Sequence, residues 1–121
     1  MLAGLGALRR DTFGHRAAWV LHRASGLGVL LFLLLHVVDV ALVQLGPGPF
    51  DALLVVYRGG AFRAVEILLM GAVLFHAFNG VRVTVQDFWS GWLALQRPLL
   101  LAVYLLTVTC WLPAAYFMAT R

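Results

Sequence analysis

The stretch LLFLLLHVVDVALV, residues 30–43, decides the fold of this 121-residue chain. It is almost wholly apolar, yet it contains a histidine, His36. A second apolar stretch, LLMGAVLFHAFNGV at residues 68–81, surrounds His76 in the same way. An ionisable side chain at membrane depth is costly unless something binds it, so such residues usually face a bundle interior or a cofactor. The two imidazoles are therefore the first candidates for a functional site.

Composition identifies the chain as a membrane protein. Hydrophobic residues make up 63% of it and charged residues 12%, and its mean hydropathy is +0.94. Soluble domains have about a quarter of their residues charged. The length predicts one transmembrane domain over residues 1–121, with no sizeable extramembrane module and no cleavable signal peptide. The net charge of +4 comes from arginines at the ends of the apolar stretches, which indicates membrane anchoring and not nucleic-acid binding.

Three apolar stretches are long enough to cross a ~30 Å hydrocarbon core, at about residues 17–44, 64–85 and 99–120. Because unpaired sheet edges do not occur in lipid, each span is predicted to be a helix and the fold is predicted to be all-α. The strings GPGPF and RGG predict a loop at residues 45–63, and a second loop is expected at residues 86–98.

The arginines predict the orientation of the chain. One side carries Arg9, Arg10, Arg16, Arg23, Arg82 and Arg97, and the other carries Arg58, Arg63 and Arg121. This excess places the N-terminus in the cytoplasm and the C-terminus outside. The first sixteen residues, which are mixed and basic, are expected to lie flat at the interface or to dock on a soluble partner.

Depth separates the two intramembrane histidines. At 1.5 Å per residue, His76 lies ~9 Å from the cytoplasmic boundary at Arg82. His36 lies ~20 Å from the same boundary, counted from Arg23. A difference of roughly 10 Å prevents the two rings from ligating one iron. Either they serve two haems stacked across the membrane, or only one of them is a ligand.

The neighbours of His76 suit a haem. Gly80 follows one turn later on the same helical face and leaves room for a flat porphyrin against the helix. Arg82 offers a cation to a haem propionate, and His22 and Arg23 form a second cationic cluster at the same depth. One imidazole is half of a bis-histidine site, so the other axial ligand is expected from another chain.

Other interpretations of these residues remain open at this point. A lone transmembrane histidine can be a polar cross-helix hydrogen bond, and His22 at the boundary can be a solvated interfacial side chain. Asp39 is either an acceptor for the other ring N–H of His36 or an outer-leaflet polar residue. A haem-free structural anchor and a small proton-conducting subunit are the alternative functions, although the third span has little polar lining beyond Thr107 and Thr109.

Two motifs resemble those of the cytochrome b membrane-anchor subunit (the C subunit) of succinate dehydrogenase, respiratory complex II. The first is H-R-x-S-G entering the first span, and the second is H-x-x-x-G-[IV]-R followed five residues later by Asp. Their residues are His22, Arg23, Ser25 and Gly26, then His76, Gly80, Val81, Arg82 and Asp87. The match extends from Trp19 to Trp89, and the strings WVLHRASG, LLHVVDVAL and FHAFNGVR are most similar to the actinobacterial branch and its relatives.

The resemblance implies one haem b at the cytoplasmic side. His76 would be an axial ligand, paired with a histidine of the second anchor (D) subunit, and Gly80 would lie beside the haem. His22, Arg23 and Arg82 would lie near its propionates.

The resemblance also implies a site for menaquinone or ubiquinone near the iron–sulfur subunit. Arg23 and Ser25 would border this site, and Asp87 would lie in the loop at the same surface. Some relatives have a quinone-contacting serine three residues before the H-R pair, where this chain has Trp19. The quinone contact on that turn must therefore differ in this chain, and the role of the serine is not assigned to Trp19.

His36 has two possible roles under the same resemblance. Two-haem branches carry a histidine near this depth in the first span, whereas the one-haem branch often has none. The offset of roughly 10 Å fits a second, outer haem ligated by His36. The H-x-x-D pattern fits an outer quinone site instead.

The function implied is that of a multi-pass subunit of the cell inner (plasma) membrane, forming half of a two-subunit anchor bundle. Succinate would be oxidised at the flavin of a flavoprotein subunit, as in the tricarboxylic acid cycle. Electrons would pass through the iron–sulfur subunit to quinone at this anchor. As a part of succinate dehydrogenase (quinone), this chain would carry out no chemistry on succinate itself.

Overall fold

The computed structural model describes residues 2–121, with the side chains of all of these except residues 2–13, Ser90, Trp92 and Leu93. Over this range the protein is helical, without a strand. The helices are α1 (Leu2–Gln44), α2 (Pro47–Tyr57), α3 (Gly60–Phe88) and α4 (Gln96–Thr120), with a 3₁₀ helix at Ser90–Leu95 between the last two.

Three helices are long and apolar enough to span a membrane, which confirms the predicted all-α fold with three spans. They are Gly14–Gln44 within α1, all of α3 and all of α4. Helices α3 and α4 extend beyond the predicted spans at 64–85 and 99–120. The extension keeps backbone hydrogen bonds inside each helix as the chain leaves the apolar layer.

The loop predicted at residues 45–63 is wrong over most of its length, because Pro47–Tyr57 form a helix. Gly46 follows the end of α1 and has a φ of 107°, a left-handed conformation that favours glycine and does not continue a helix. Pro47 then occupies the first turn of α2, where its fixed φ suits a helix and its missing N–H is not needed. Here the Gly-Pro pair ends one helix and begins the next.

The second predicted loop, at residues 86–98, is also largely helical. Helix α3 continues to Phe88, and the backbone N–H of Trp89 still donates to its last turn. Asp87 therefore lies in α3 and not in a loop, which corrects the sequence-based position. The first sixteen residues were expected to lie at the interface or to dock on a partner. Most of their side chains lie outside the described residues.

Helix α3 lies between α1 and α4 and packs against both. Its contact with α4 is close at Gly71, where a Cβ atom would lie 2.9 Å from Nε1 of Trp111. The same indole nitrogen donates a hydrogen bond of 2.8 Å to the backbone oxygen of Ile67. This contact satisfies the indole N–H within the apolar layer, where no water can do so.

The interior of the described part of the bundle contains two buried polar side chains, Ser25 and Asn79. Its buried apolar residues are few, namely Ala18, Phe75, Leu100 and Val103. Most large apolar side chains of α1 are exposed, as expected for a surface that faces lipid or another subunit. The two buried polar residues mark the contact between α1 and α3.

Candidate functional site

The site is centred on two stacked histidines where α1 meets α3. The rings of His22 and His76 lie with centroids 4.3 Å apart and planes at 14°. Gly26 permits this arrangement, because a Cβ atom there would lie only 3.1 Å from Cε1 of His76. His22 is half-buried in this stack and is not a solvated interfacial side chain. We call the end of the bundle that holds these two rings the inner end.

Hydrogen bonds fix the tautomer of His76. Its Nδ1 atom lies 3.2 Å from the backbone oxygen of His22 and 3.2 Å from Oγ of Ser25. Because a carbonyl oxygen can only accept, Nδ1 of His76 carries a proton and donates. In the neutral ring the lone pair therefore resides on Nε2, the nitrogen that these contacts leave available.

Ser25 is 7% exposed and serves both histidines. Its hydroxyl donates to the backbone oxygen of His22 at 3.0 Å and accepts from Nδ1 of His76. A hydroxyl has one proton and two lone pairs. One lone pair remains, so Ser25 can accept from a quinol hydroxyl but cannot also donate to a quinone carbonyl.

Asn79 joins the histidine pair to Arg82. Nε of Arg82 donates to Oδ1 of Asn79 at 2.9 Å, and Nδ2 of Asn79 lies 3.0 Å from Nδ1 of His22. With 2% of its surface exposed, Asn79 is the most buried polar side chain among the described residues. Asn79 was not among the residues predicted from the sequence, although an amide in an apolar span one residue before Gly80 was a signal.

Gly80 lies beside His22, where a Cβ atom would be at an ordinary contact distance of 3.9 Å from Cε1 of that ring. Its predicted role in admitting a porphyrin therefore stays a prediction. The glycine on which the histidine stack depends is Gly26 of the first motif.

The arginines of the site differ in their surroundings. Arg82 is half-buried and also reaches Oε1 of Gln86 at 3.5 Å. The guanidinium of Arg23 is exposed and lies 4.8 Å from the ring centroid of Trp19, a cation–π contact. Trp19, the residue three positions before His22, thus contacts Arg23. Asp87 is exposed in the last turn of α3.

The described side chains include no cluster of three or more His, Cys, Asp or Glu residues that could hold a metal ion. The rings of His22 and His76 are parallel, and parallel stacked rings do not converge on one ion. A metal bound by His76 would therefore need its other ligands from a prosthetic group or another chain.

His36 lies in a cavity of about 620 Å³, apart from the histidine stack. The polar residues that line this cavity are His36, Asp39, Tyr57, Arg58, Arg63, Glu66 and Arg121. The ring of His36 stacks on Phe32, with centroids 5.7 Å apart and planes at 21°. We call this cavity and its lining the outer cavity, and the described residues that line it include neither His22 nor His76.

Asp39 has a partner that the sequence analysis did not anticipate. The hydroxyl of Tyr57 donates to Oδ1 of Asp39 at 2.5 Å. Partial burial, together with the hydrogen bond and charge of Asp39, raises the pKa of Tyr57 to about 12. The pairing depends on α2, the helix that the sequence analysis had assigned to a loop.

Comparison with known proteins identifies the family of this chain. Residues 15–114 match the family of succinate dehydrogenase/fumarate reductase transmembrane subunits. The chain is 42% identical over 83 residues to the succinate dehydrogenase 2 membrane subunit SdhC of Mycobacterium tuberculosis. That match spans 69% of this chain and 61% of the relative's length. The chain, a multi-pass membrane protein, therefore belongs to the succinate dehydrogenase/fumarate reductase transmembrane subunit family.

Proposed function

We propose that this chain is an anchor subunit of a succinate:quinone oxidoreductase in which His76 is an axial ligand of haem b. One observation carries the proposal: Nδ1 of His76 donates to a backbone carbonyl and a hydroxyl, while Nε2 keeps its lone pair. Histidines that bind metals characteristically donate their other ring N–H in this way, which fixes the ring and its tautomer.

The surrounding residues fit a haem better than a bare ion. A porphyrin brings four nitrogen ligands, so the missing cluster of protein ligands is no obstacle. The second axial ligand would come from the other anchor subunit. Arg82 and Arg23 supply cations for carboxylate groups, and their charge favours the reduced form of a nearby redox group. When bound, the haem supplies one-electron redox chemistry.

The quinone site belongs to the same inner end in this proposal. Arg23 and Asp87 are both exposed there, where a mobile ligand can reach them. Ser25 takes part by holding His76 and by offering its one free lone pair to a quinol hydroxyl. The reduced forms of menaquinone and ubiquinone both carry such a hydroxyl.

The proposed partners follow from the surface of the helices and the family. The exposed apolar side chains of α1 provide a face for the second anchor subunit and for lipid. An iron–sulfur subunit at the inner end would deliver electrons taken from succinate by a flavoprotein subunit. The part of this chain is to bind, orient and shield the carriers.

Replacing His76 by Ala in the purified complex tests the ligand assignment. We expect the b-type absorbance of the reduced complex to be lost, because one axial bond is removed. Adding imidazole to this variant should restore part of the absorbance if the complex is folded. A variant whose bis-histidine spectrum is unchanged would contradict the proposal.

A haem-free structural anchor is the competing function, and one measurement on the unmodified complex separates the two. The dithionite-reduced minus oxidised spectrum should contain the bands of a low-spin b-type haem. A spectrum with flavin and iron–sulfur signals alone would establish the haem-free anchor.

We further propose that the outer cavity holds a second redox group, with His36 as its haem ligand or quinone contact. The cavity supports this because it combines apolar walls with an imidazole and with the guanidinium groups of Arg58, Arg63 and Arg121. The pyridine haemochrome assay decides between the two ligands. Two haems per flavin would assign a haem to His36, and one haem per flavin would leave the cavity to a quinone.

A further inference from the structure

Asn79 has a defined orientation, and that orientation has a consequence for His22. A guanidinium group can only donate, so the contact from Nε of Arg82 identifies the amide atom at 2.9 Å as the oxygen Oδ1. The amide nitrogen of Asn79 therefore points toward Nδ1 of His22, 3.0 Å away. An amide NH₂ group can only donate, so Nδ1 of His22 must be the acceptor.

The two stacked rings consequently hold opposite tautomers. His22 has its lone pair on Nδ1 and its proton on Nε2, whereas His76 has its proton on Nδ1 and its lone pair on Nε2. The rings are nearly parallel, with centroids only 4.3 Å apart. The same site therefore contains Nε2 of His76, which can accept a hydrogen bond, and Nε2 of His22, which can donate one.

We propose that Asn79 is a positioning residue that fixes His22 as the Nε2–H tautomer, so that His22 donates a hydrogen bond to an oxygen of the group bound at the inner end. This inference rests on the proposed function. The oxygen belongs either to a haem carboxylate or to a quinone carbonyl, since both accept a hydrogen bond from a neutral N–H.

Burial argues for a positioning role over simple packing. Asn79 is 2% exposed and lies between a half-buried arginine and the histidine stack. A leucine, which has the same branched arrangement of side-chain heavy atoms, would suit an apolar span, but it would leave the tautomer of His22 free. The presence of an amide at residue 79 is therefore explained by its two hydrogen bonds, one from Arg82 to its oxygen and one from its nitrogen to His22.

Nitrogen magnetic resonance tests the tautomer directly in the intact complex. Complex labelled with ¹⁵N-histidine should show Nδ1 of His22 unprotonated and Nε2 protonated, with the signals assigned by their loss in His22→Gln. An unprotonated Nε2 in His22 would overturn the inference. This measurement needs no substitution at Asn79, so it holds even if such variants fail to assemble.

A pair of substitutions at His22 identifies the oxygen. His22→Leu removes the donor, and His22→Gln keeps an N–H at the end of the side chain. If the acceptor is a haem carboxylate, His22→Leu should lower the haem reduction potential by about 59 mV for each tenfold loss of stabilisation of the reduced form. If it is a quinone, the KM for a water-soluble quinone should rise about tenfold at unchanged potential.

The role of Asn79 is tested by making Asn79→Leu in the unmodified complex and again in the His22→Leu variant. Asn79→Leu should shift the affected quantity in the same direction as His22→Leu, but by less, because a released ring still donates part of the time. In the His22→Leu background its effect should be clearly smaller, limited to what the loss of the hydrogen bond from Arg82 contributes. An equal effect in both backgrounds, or no effect of His22→Leu on either potential or KM, would overturn the inference.

Failure of the inference is separable from failure of the proposed function. An unmodified complex without b-type absorbance would refute haem ligation by His76. The resonance measurement and the quinone KM would still report on His22 and Asn79 in that complex. Conversely, a normal haem spectrum with the wrong His22 tautomer would refute the inference alone.

Discussion

The inner end and the outer cavity both place a histidine in an apolar span, yet they treat it differently. At the inner end, His76 contacts a second ring, a carbonyl and a buried hydroxyl. At the outer cavity, His36 stacks on Phe32 and lines an open space of about 620 Å³. The first imidazole is held in one orientation by residues of this chain, whereas the second is exposed and free of such a network among the residues described here.

This difference indicates how far each site is organised by one chain. A ligand histidine fixed by hydrogen bonds loses little conformational freedom on binding, which favours tight and specific ligation. A ring in a wide cavity with several arginines suits a ligand whose position is completed by a second subunit. We therefore expect substitutions at the inner end to have larger effects than those at the outer cavity.

The largest effect expected in this comparison comes from Gly26→Val. The added Cβ would lie 3.1 Å from Cε1 of His76, and the two methyl groups would overlap the ring. Overpacking of this kind typically costs about 1–3 kcal/mol, which corresponds to a roughly 5- to 150-fold loss of haem affinity. The measurement is haem per flavin in the purified complex.

Gly28→Val is the matched control for Gly26→Val on the same helix. Its Cβ would lie 3.9 Å from a methyl group of Leu69, an ordinary contact. Haem content should stay near that of the unmodified complex. Equal losses in both variants would show that α1 tolerates no branched residue here, and would remove the support for a specific role of Gly26.

An intermediate effect is expected from His36→Ala, because among the described residues His36 alone contributes an imidazole to the outer cavity. If the cavity holds a haem, the ratio of haem to flavin should fall from two to one while the absorbance due to the inner haem persists. If it holds a quinone, haem content should stay constant and quinone kinetics should change. Loss of all haem in this variant would contradict the separation of the two ends.

The smallest effect is expected from Tyr57→Phe, which removes the hydrogen bond to Asp39. One such bond contributes about 1 kcal/mol, somewhat more when the acceptor is charged. The variant should lower the thermal stability of the complex slightly and leave unchanged the b-type absorbance that we propose arises at the inner end. Phe62→Leu, which changes the ring stacked on Tyr57 without touching the hydrogen bond, is a suitable control.

The raised pKa of Tyr57 gives a related expectation for pH dependence. Its folded-state pKa of about 12 exceeds the ordinary value of 10.0, so folding favours the protonated phenol. The stabilisation is complete below about pH 10 and is lost as the pH rises toward 12. Titration of the tyrosinate absorbance should include a component near pH 12 that Tyr57→Phe removes.

The sequence was a good guide where apolar length or a local motif was sufficient. Three spans follow from runs of apolar residues, because backbone in lipid must form helices. His76 and His36 were recognised because an imidazole among leucines is unusual, and their separation followed from the rise of a helix. The helix at Pro47–Tyr57 was missed because Gly and Pro were interpreted as breakers throughout the segment, although Pro favours a helix start.

Asn79 and Gly26 show what only the tertiary structure decided. The role of Gly26 depends on a ring 50 residues away along the chain, on another helix. The orientation of Asn79 depends on Arg82, and its effect falls on His22 of α1. Sequence alone determined that this chain spans a membrane three times and carries histidines within it, because those properties reside in single segments. Which nitrogen of each histidine donates was decided by packing α1 against α3, because a tautomer is set by the partners that the fold brings into contact.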